Sequence, residues 1–230
     1  MPQHTRSAFL AGASALLLSA PAAAASLESI ADPDTAASMS ADQALKLLMD
    51  GNARFRNGTM EHPNQTPARR REVAPKQAPF ACVVSCSDSR VPPEVVFDRG
   101  LGDLFVSRVA GNTADDVVTG SVEYAVEHFH TPLLMVLGHQ RCGACAATLD
   151  TLHDGVLPAD AVASVVRAIL PVARTISPGP DELERLVDAN ARATAATLGM
   201  SPVLHAAAGK GALRVVTARY DLDSGTVVLL

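Results

Sequence analysis

The chain has 230 residues, of which 48% are hydrophobic and 19% are charged, a balance that favours a folded protein with one sizeable core over a disordered one. Aromatic residues make up only 3% and Trp is absent, so Ala, Val and Leu must form most of that core. The formal net charge of −5 and the few aromatic side chains argue against a nucleic-acid-binding protein.

Residues 1–25 have the pattern of a secretory signal peptide. Arg6 makes the start positive, residues 8–20 form a short apolar run, and residues 22–25 are alanines that suit cleavage. The run is short for a stable bilayer span, and an uncleaved membrane anchor is the alternative. Cleavage leaves 18 basic and 24 acidic residues, a formal charge of −6. We therefore expect an exported protein, periplasmic or secreted, without a membrane segment after cleavage.

The next residues predict a linker and the start of one domain. Residues 26–39 are rich in Ala, Ser and Asp and are interpreted as the linker, and residues 40–230 as a single domain. Ser40 and Gln43 form a capping box, which predicts a helix that begins here. Residues 57–79 are polar with four prolines, so we predict an extended loop, with the arginines at 69–71 on a solvated surface.

Strands and helices alternate along the rest of the chain. Apolar runs and turn residues predict strands at 80–85, 103–109, 132–137, 213–220 and 226–230, the last two joined by a hairpin at 223–225. Apolar spacing and capping residues predict helices at 115–129, 143–152, 160–170, 181–198 and 201–209. This alternation is typical of an α/β fold with a mainly parallel central sheet, flanking helices and an antiparallel edge strand at the C-terminus.

Two groups of polar residues follow two of the predicted strands. Cys86, Asp88 and Arg90 come after the first strand, and His139 and Cys142 come after the run at 132–137. Functional groups gather at the carboxyl ends of parallel strands, so we expect these side chains to lie together. Two Cys and one His with an open fourth position are a known ligand set for catalytic zinc. The sequence therefore predicts one zinc ion per chain.

The neighbouring residues suit hydration of a small electrophile. Zinc lowers the pKa of bound water to about 7, which provides hydroxide for attack on a carbon such as that of CO2. Arg90 is expected to clamp Asp88 in a bidentate pair, so that Asp88 accepts a hydrogen bond from the nucleophile. The main-chain N–H of Gly143, next to a ligand, is the expected contact for bicarbonate.

The Cys-x-Asp-x-Arg motif at 86–90 and the His-x-x-Cys-Gly motif at 139–143 resemble the β-class carbonic anhydrases. The resemblance extends over residues 51–221 and includes the stretches 102–106 and 108–112. It implies reversible hydration of CO2 to bicarbonate and a proton, with zinc bound by Cys86, His139 and Cys142. It also implies an Asp88–Arg90 dyad, and a homodimer or larger homo-oligomer in which the N-terminal helix packs across a second subunit.

The resemblance leaves two points open. In some members of the family the equivalent carboxylate binds the metal, which makes Asp88 a conditional fourth ligand. Relatives that hydrolyse carbon disulfide or related small molecules leave the substrate open as well.

The four cysteines allow rival interpretations. In an oxidising compartment they could pair as disulfides, although a disulfide does not require His139 three residues before Cys142. Cys142 and Cys145 also resemble a thioredoxin-like thiol oxidoreductase motif, which leaves Cys86 and Asp88 unexplained. A non-catalytic zinc-binding module, closed by Asp88 or Cys145, is the third interpretation.

Cys82 and three histidines are predicted to lie away from the metal ligands, although one of the histidines could act as a proton shuttle. Cys82 is interpreted as a small buried hydrophobe. Exposed positions are predicted for three histidines, His128, His130 and His153.

Overall fold

The computed structural model describes residues 39–230. The predicted signal peptide at 1–25 and the predicted linker at 26–39, apart from Met39, lie outside the described residues. Within residues 39–230, no helix combines the length and the apolar character that a membrane span requires.

Helices and strands alternate as the sequence predicts. The strands are β1 (Ala81–Ser85), β2 (Leu104–Arg108), β3 (Leu133–His139), β4 (Arg214–Tyr220) and β5 (Val227–Leu229). The helices are α1 (Ala41–Asn57), α2 (Pro67–Val73), α3 (Pro93–Val96), α4 (Asp116–Phe129), α5 (Gly143–Asp154), α6 (Val162–Ala173), α7 (Glu182–Gly199) and α8 (Pro202–Gly209). A 3₁₀ turn at Ala110–Asn112 follows β2.

The strands form one sheet in the order β2–β1–β3–β4–β5. β1 pairs in parallel with both β2 and β3, β3 pairs in parallel with β4, and β5 runs antiparallel to β4 at the edge. The predicted fold class is therefore confirmed. Since β1 and β3 are neighbours, their carboxyl ends bring residues 86 and 139 to the same edge of the sheet.

Alternating residues of the central strands pack into two cores on opposite faces of the sheet. Val83 and Met135 pack on the face that α1 covers through Leu48. Val84 and Val136 pack on the other face, which helices α4, α7 and α8 cover. β1 and β3 are buried along their whole length, as expected for parallel strands covered on both faces.

Helix α1 begins as predicted. The Ser40 side chain accepts a hydrogen bond from the main-chain N–H of Gln43, and the Gln43 side chain accepts one from the main-chain N–H of Ser40. Gly51 lets α1 approach the next segment closely, because a Cβ at this position would lie 1.8 Å from the main-chain oxygen of Phe97. The capping box fixes where α1 begins, and the contact at Gly51 places it against the residue that follows α3.

The predicted loop at 57–79 is wrong in part, because it contains α2. Thr66 caps this helix by accepting a hydrogen bond from the main-chain N–H of Arg69, and Pro67 occupies its first turn. The predicted solvated surface at 69–71 is also wrong for Arg69, which is buried and donates to Leu101 O and to Glu72. Arg70 and Arg71 are exposed, as predicted.

Candidate metal centre

Cys86, His139 and Cys142 converge at the carboxyl ends of β1 and β3. Cys86 directly follows β1, His139 is the last residue of β3, and Cys142 is the N-cap of α5. Their ligand atoms all lie within 4.8 Å of one another, and all three residues are buried. Two sulfurs and one imidazole nitrogen at this spacing suit a zinc ion, which is bound in proteins by such soft and borderline donors.

The His139 ring has one nitrogen committed and one free. Its Nδ1 lies 2.9 Å from the main-chain oxygen of Gln140, so Nδ1–H donates to that carbonyl. Its Nε2 is buried and has no hydrogen-bond partner among the described residues. A histidine that donates through one nitrogen and presents the lone pair of the other has the arrangement of a metal ligand.

The two ligand thiols lie in an environment that opposes their ionisation. Contact with the Cys142 thiol and burial raise the pKa of Cys86 to about 12. The neighbouring Cys145 thiol raises the pKa of Cys142 to about 11. Thiol ligands lose their protons when a cation binds, so a metal ion at this site would hold both sulfurs as thiolates.

Gly111 holds the sulfur of Cys86. Its main-chain N–H donates to Cys86 Sγ at 3.3 Å, and its carbonyl accepts from Asn190 Nδ2 at 2.7 Å. Gly111 has a φ of 72°, and a Cβ here would lie 2.6 Å from Cδ1 of Ile169. The left-handed backbone conformation therefore favours glycine at this position, and a Cβ would also crowd Ile169.

Asp88 and Arg90 form the predicted bidentate pair. Arg90 Nε donates to Asp88 Oδ1 at 2.9 Å, and Arg90 Nη2 donates to Oδ2 at 2.7 Å. The side-chain hydrogen bonds from Arg90 hold the pKa of the Asp88 carboxyl far below its ordinary value. Asp88 Oδ2 also lies 3.8 Å from Nε2 of His139. The structure thus brings an ionised carboxylate to the edge of the cluster.

Gly143 is the first residue of α5, directly after Cys142. It is exposed, and a Cβ at this position would meet no atom of the described residues within 4 Å. The first N–H groups of a helix have no intrahelical acceptor. The space beside Gly143 is therefore open to a small ligand.

Cys82 and the three histidines lie where they were predicted. Cys82 is fully buried in β1, and all four cysteines are free, so the disulfide interpretation is wrong for this structure. Cys145 is also buried, although it does not belong to the group whose ligand atoms lie within 4.8 Å. Surface positions are confirmed for three histidines, His128, His130 and His153.

Sequence reasoning assigned no role to Arg108 or Asn190. Arg108 lies at the carboxyl end of β2 and donates to the main chain of the loop that carries Cys86. Asn190 lies on α7 and reaches Gly111 from 79 residues away. Arg108 could have been found from its place at the end of a predicted strand, at the edge of the sheet where the metal site was predicted. No local pattern marks Asn190.

Comparison with known proteins points to one family. A family described as carbonic anhydrase matches residues 81–227. Carbonic anhydrase 2 of Mycobacterium tuberculosis is 40% identical over 188 residues, which cover 81% of this chain and 91% of that protein. The carbonic anhydrase of Mycolicibacterium smegmatis is also 40% identical over 188 residues, with the same coverage of 81% and 91%.

Solved structures of the same class are similar in fold. The β-carbonic anhydrase of Coccomyxa, solved in complex with acetazolamide, has a TM-score of 0.63 and 29% identity, covering 70% of this chain and 75% of that chain. One of two tetrameric β-carbonic anhydrases from Sordaria macrospora has a TM-score of 0.65 and 24% identity, covering 72% and 87%. The second similarity supports the fold alone.

Proposed function

The chain belongs to the β-class carbonic anhydrase family, and we propose that Cys86, His139 and Cys142 bind its zinc ion. The enzyme catalyses the reversible hydration of carbon dioxide to bicarbonate and a proton, the activity for which its relatives are named. The observation that carries the site assignment is His139: its buried Nε2 has no hydrogen-bond partner among the described residues, and its ring belongs to the group whose ligand atoms lie within 4.8 Å of one another.

The three proposed ligands leave a fourth position for chemistry. When bound, zinc supplies a Lewis acid that allows water to ionise near neutral pH and attack CO2. Gln140 fixes the orientation of the His139 ring through its carbonyl, and Gly111 fixes the sulfur of Cys86 through its N–H. These contacts hold the donor atoms in place before the metal arrives, which reduces the rearrangement that binding requires.

Asp88 is proposed to orient the attacking oxygen. Its carboxylate is ionised throughout the neutral range, because Arg90 stabilises the charged form, so it accepts hydrogen bonds and donates none. The bidentate contact with Arg90 also fixes the plane of the carboxylate beside Nε2 of His139. A fixed acceptor at this edge directs the proton of the attacking water away from CO2. If the Arg90 pair opens, Asp88 becomes free to act as a fourth ligand.

The product contact is assigned to the start of α5. Bicarbonate carries a negative charge, and the N-terminus of a helix attracts anions through its unpaired N–H groups. Gly143 occupies this position directly after the Cys142 ligand, with open space where a side chain would stand. We therefore assign the Gly143 N–H to the oxygen atoms of bicarbonate.

The thiol oxidoreductase interpretation is not favoured. Cys142 and Cys145 are each 1% exposed, whereas a thiol that exchanges disulfides with other proteins requires access to solvent. The convergence of Cys86 and His139 on Cys142 also has no role in that chemistry. A non-catalytic zinc module closed by Asp88 is opposed by the Arg90 contacts, because both carboxylate oxygens already accept hydrogen bonds from Arg90. Closure by Cys145 is opposed by its position outside the group of close ligand atoms.

We also propose that the protein is exported and that it forms a homo-oligomer. The pattern of residues 1–25 supports export to the periplasm or the medium. Family membership is the ground for proposing a homodimer or a larger homo-oligomer, and the protein of similar fold from Sordaria macrospora is itself tetrameric. Mass spectrometry of the protein recovered from its source tests the first, because an intact residue 1 would contradict cleavage. Light scattering of the purified protein tests the second, and a monomer at micromolar concentration would contradict it.

The proposed function is tested by stopped-flow CO2 hydration with zinc quantified on the same sample. We expect about one zinc per chain and a hydration rate that rises with zinc occupancy. Samples with full zinc occupancy and no hydration would contradict catalysis, and hydration that persists after complete zinc removal would contradict the role of the metal.

A further inference from the structure

Arg108 binds the loop that carries both a proposed zinc ligand and the proposed water-orienting carboxylate. It is the last residue of β2 and is half-buried. Its Nε donates to the carbonyl oxygen of Cys86 at 3.0 Å, and its Nη2 donates to the carbonyl oxygen of Asp88 at 2.5 Å. One guanidinium therefore binds the main chain of both Cys86 and Asp88.

The other contacts of the loop include the Gly111 N–H on Cys86 Sγ and the Val91 N–H on the carbonyl oxygen of Asp88. Ser87, Ser89 and Arg90 are exposed, so this stretch lacks the packing that fixes β1. The main-chain N–H of Ser87 donates to Val109 O at 3.2 Å, which attaches the start of the loop to the end of β2. The Arg108 side chain adds two hydrogen bonds at the positions where displacement would move a ligand atom or a carboxylate.

The bonding of Arg108 is unlike that of a structural ion pair. Among the ion pairs of the described residues none involves its guanidinium, and its hydrogen bonds go to the two carbonyl oxygens. A guanidinium presents its N–H groups in a rigid planar fork, so two acceptors bound to it are held at a fixed separation. A lysine ammonium on a flexible stem cannot impose that separation.

We propose that Arg108 is a positioning residue that sets the placement of Cys86 relative to Asp88, and so completes the metal centre. This inference rests on the proposed function, because it gives the loop its catalytic meaning. It predicts that loss of the fork weakens metal binding and slows turnover, since partners one step behind a ligand typically change affinity or activity by about 10–100-fold.

The test compares Arg108→Met and Arg108→Lys with Arg185→Met. Arg185 is the matched control because its guanidinium also donates to two main-chain carbonyls, those of Ser177 and Pro180, in a loop without site residues. Zinc affinity is measured by competition with a chelating dye, metal geometry by the visible spectrum of the Co²⁺-substituted protein, and catalysis by kcat and KM for CO2. Melting temperature is recorded for every variant, because a merely structural role would change it alone.

We expect Arg108→Met to bind zinc about 10–100-fold more weakly, to shift the Co²⁺ bands and to lower kcat over the same range with KM nearly unchanged. Arg108→Lys should fall between Arg108→Met and the wild type, and Arg185→Met should match the wild type in zinc affinity, spectrum and kcat.

Wild-type zinc affinity, Co²⁺ spectrum and kcat in Arg108→Met would overturn the proposal, whatever its melting temperature. If Arg108→Met fails to fold, Arg108→Lys decides, because wild-type values without the two-point contact would overturn it equally. A wild-type protein that binds no zinc and hydrates no CO2 would instead refute the proposed function, so the two failures are distinguishable.

Discussion

Asp88 and Asp98 each pair with an arginine, but the two carboxylates lie in contrasting surroundings. Asp98 contacts Arg54, which lies on helix α1. The Asp98 side chain is fully buried. The Asp88 side chain is 16% exposed at the edge of the metal centre, and its partner Arg90 is 52% exposed. An Asp–Arg ion pair thus occurs once in the interior of the protein and once at the partly exposed edge of the metal centre.

Every oxygen of Asp98 is used by the fold. Arg54 Nε and the main-chain N–H of Glu61 donate to Oδ2 at 2.6 and 3.0 Å, and the main-chain N–H of His62 donates to Oδ1 at 3.0 Å. Burial raises the pKa of Asp98, but the hydrogen bonds from Glu61 and Arg54 outweigh it, and the pKa lies below its ordinary value. Asp98 therefore stabilises the folded chain.

Asp88 keeps spare acceptor capacity toward the cluster. Its oxygens bind Arg90 on one side, while Oδ2 faces Nε2 of His139 at 3.8 Å, a gap too long for a hydrogen bond. Pairing with an arginine therefore does not separate structural from catalytic carboxylates. What separates them is whether the remaining lone pairs are used by protein donors or left for substrate chemistry.

Removing a proposed zinc ligand should have the largest effect, because it removes the metal centre beside which Asp88 lies. Cys86→Ala should lower zinc affinity more than about 100-fold, beyond the loss expected for an outer partner, and abolish CO2 hydration. Cys82→Ala is the matched control, since Cys82 is a buried cysteine of the preceding strand outside the cluster. Elemental analysis showing equal zinc in both variants would contradict the ligand assignment.

Asp88→Ala should keep zinc and lose most turnover. Three proposed ligands remain, while the acceptor that orients the nucleophile is gone. By analogy with the loss of one oxyanion-hole donor, kcat should fall about 10²–10³-fold. Stopped-flow measurements at matched zinc content check this, and near wild-type kcat would show that Asp88 is as structural as Asp98.

Asp98→Asn should have the opposite phenotype. Breaking a buried pair typically costs about 3–5 kcal/mol, and we expect about 3 kcal/mol because Glu61 lies 3.9 Å from Arg54 and supplies a second partner. Urea unfolding should show this loss, while kcat per folded, zinc-loaded molecule stays at the wild-type value. A fall in kcat with unchanged stability would reverse the proposed distinction.

The pH dependence of the free energy of unfolding gives a further test of the structural role of Asp98. Because the folded-state pKa of Asp98 is lowered, its stabilisation is present above the unfolded-state pKa of about 3.9 and is lost as pH falls through the folded value. The stability difference between wild type and Asp98→Asn should therefore be largest near neutral pH and shrink in acid.

Cys145→Ala should have the smallest effect. Cys145 is buried next to the cluster but outside the group of close ligand atoms. We expect zinc content and CO2 hydration to be retained, with a stability loss of about 1 kcal/mol from the small cavity. Loss of zinc in this variant would make Cys145 a ligand and revive the closed, non-catalytic site.

The sequence allowed the zinc ligands to be predicted because their positions relative to the strands are local information. Cys86 follows an apolar run and His139 ends another, so a parallel sheet was sufficient to bring them together. The Ser40 capping box is likewise read within four residues of the chain. Local patterns of this kind predict the structure correctly because they do not depend on residues that are distant in the sequence.

The parts that sequence missed depend on distant partners. Helix α2 has seven residues and no apolar stripe, and it is stabilised by the Thr66 cap and by Arg69 reaching Leu101. Arg108 acquires its role only because β2 pairs with β1, and Asp98 only because α1 brings Arg54 beside it. Such contacts require the whole fold before a residue's surroundings are known.

X-ray absorption at the zinc edge of the wild-type protein reads the proposed ligand set itself. We expect two sulfur ligands at about 2.3 Å, one imidazole nitrogen at about 2.0–2.1 Å and one oxygen at about 2.0–2.2 Å. A third sulfur in the coordination shell, or a shell without imidazole, would contradict a metal centre made of Cys86, His139 and Cys142 with a fourth position for chemistry.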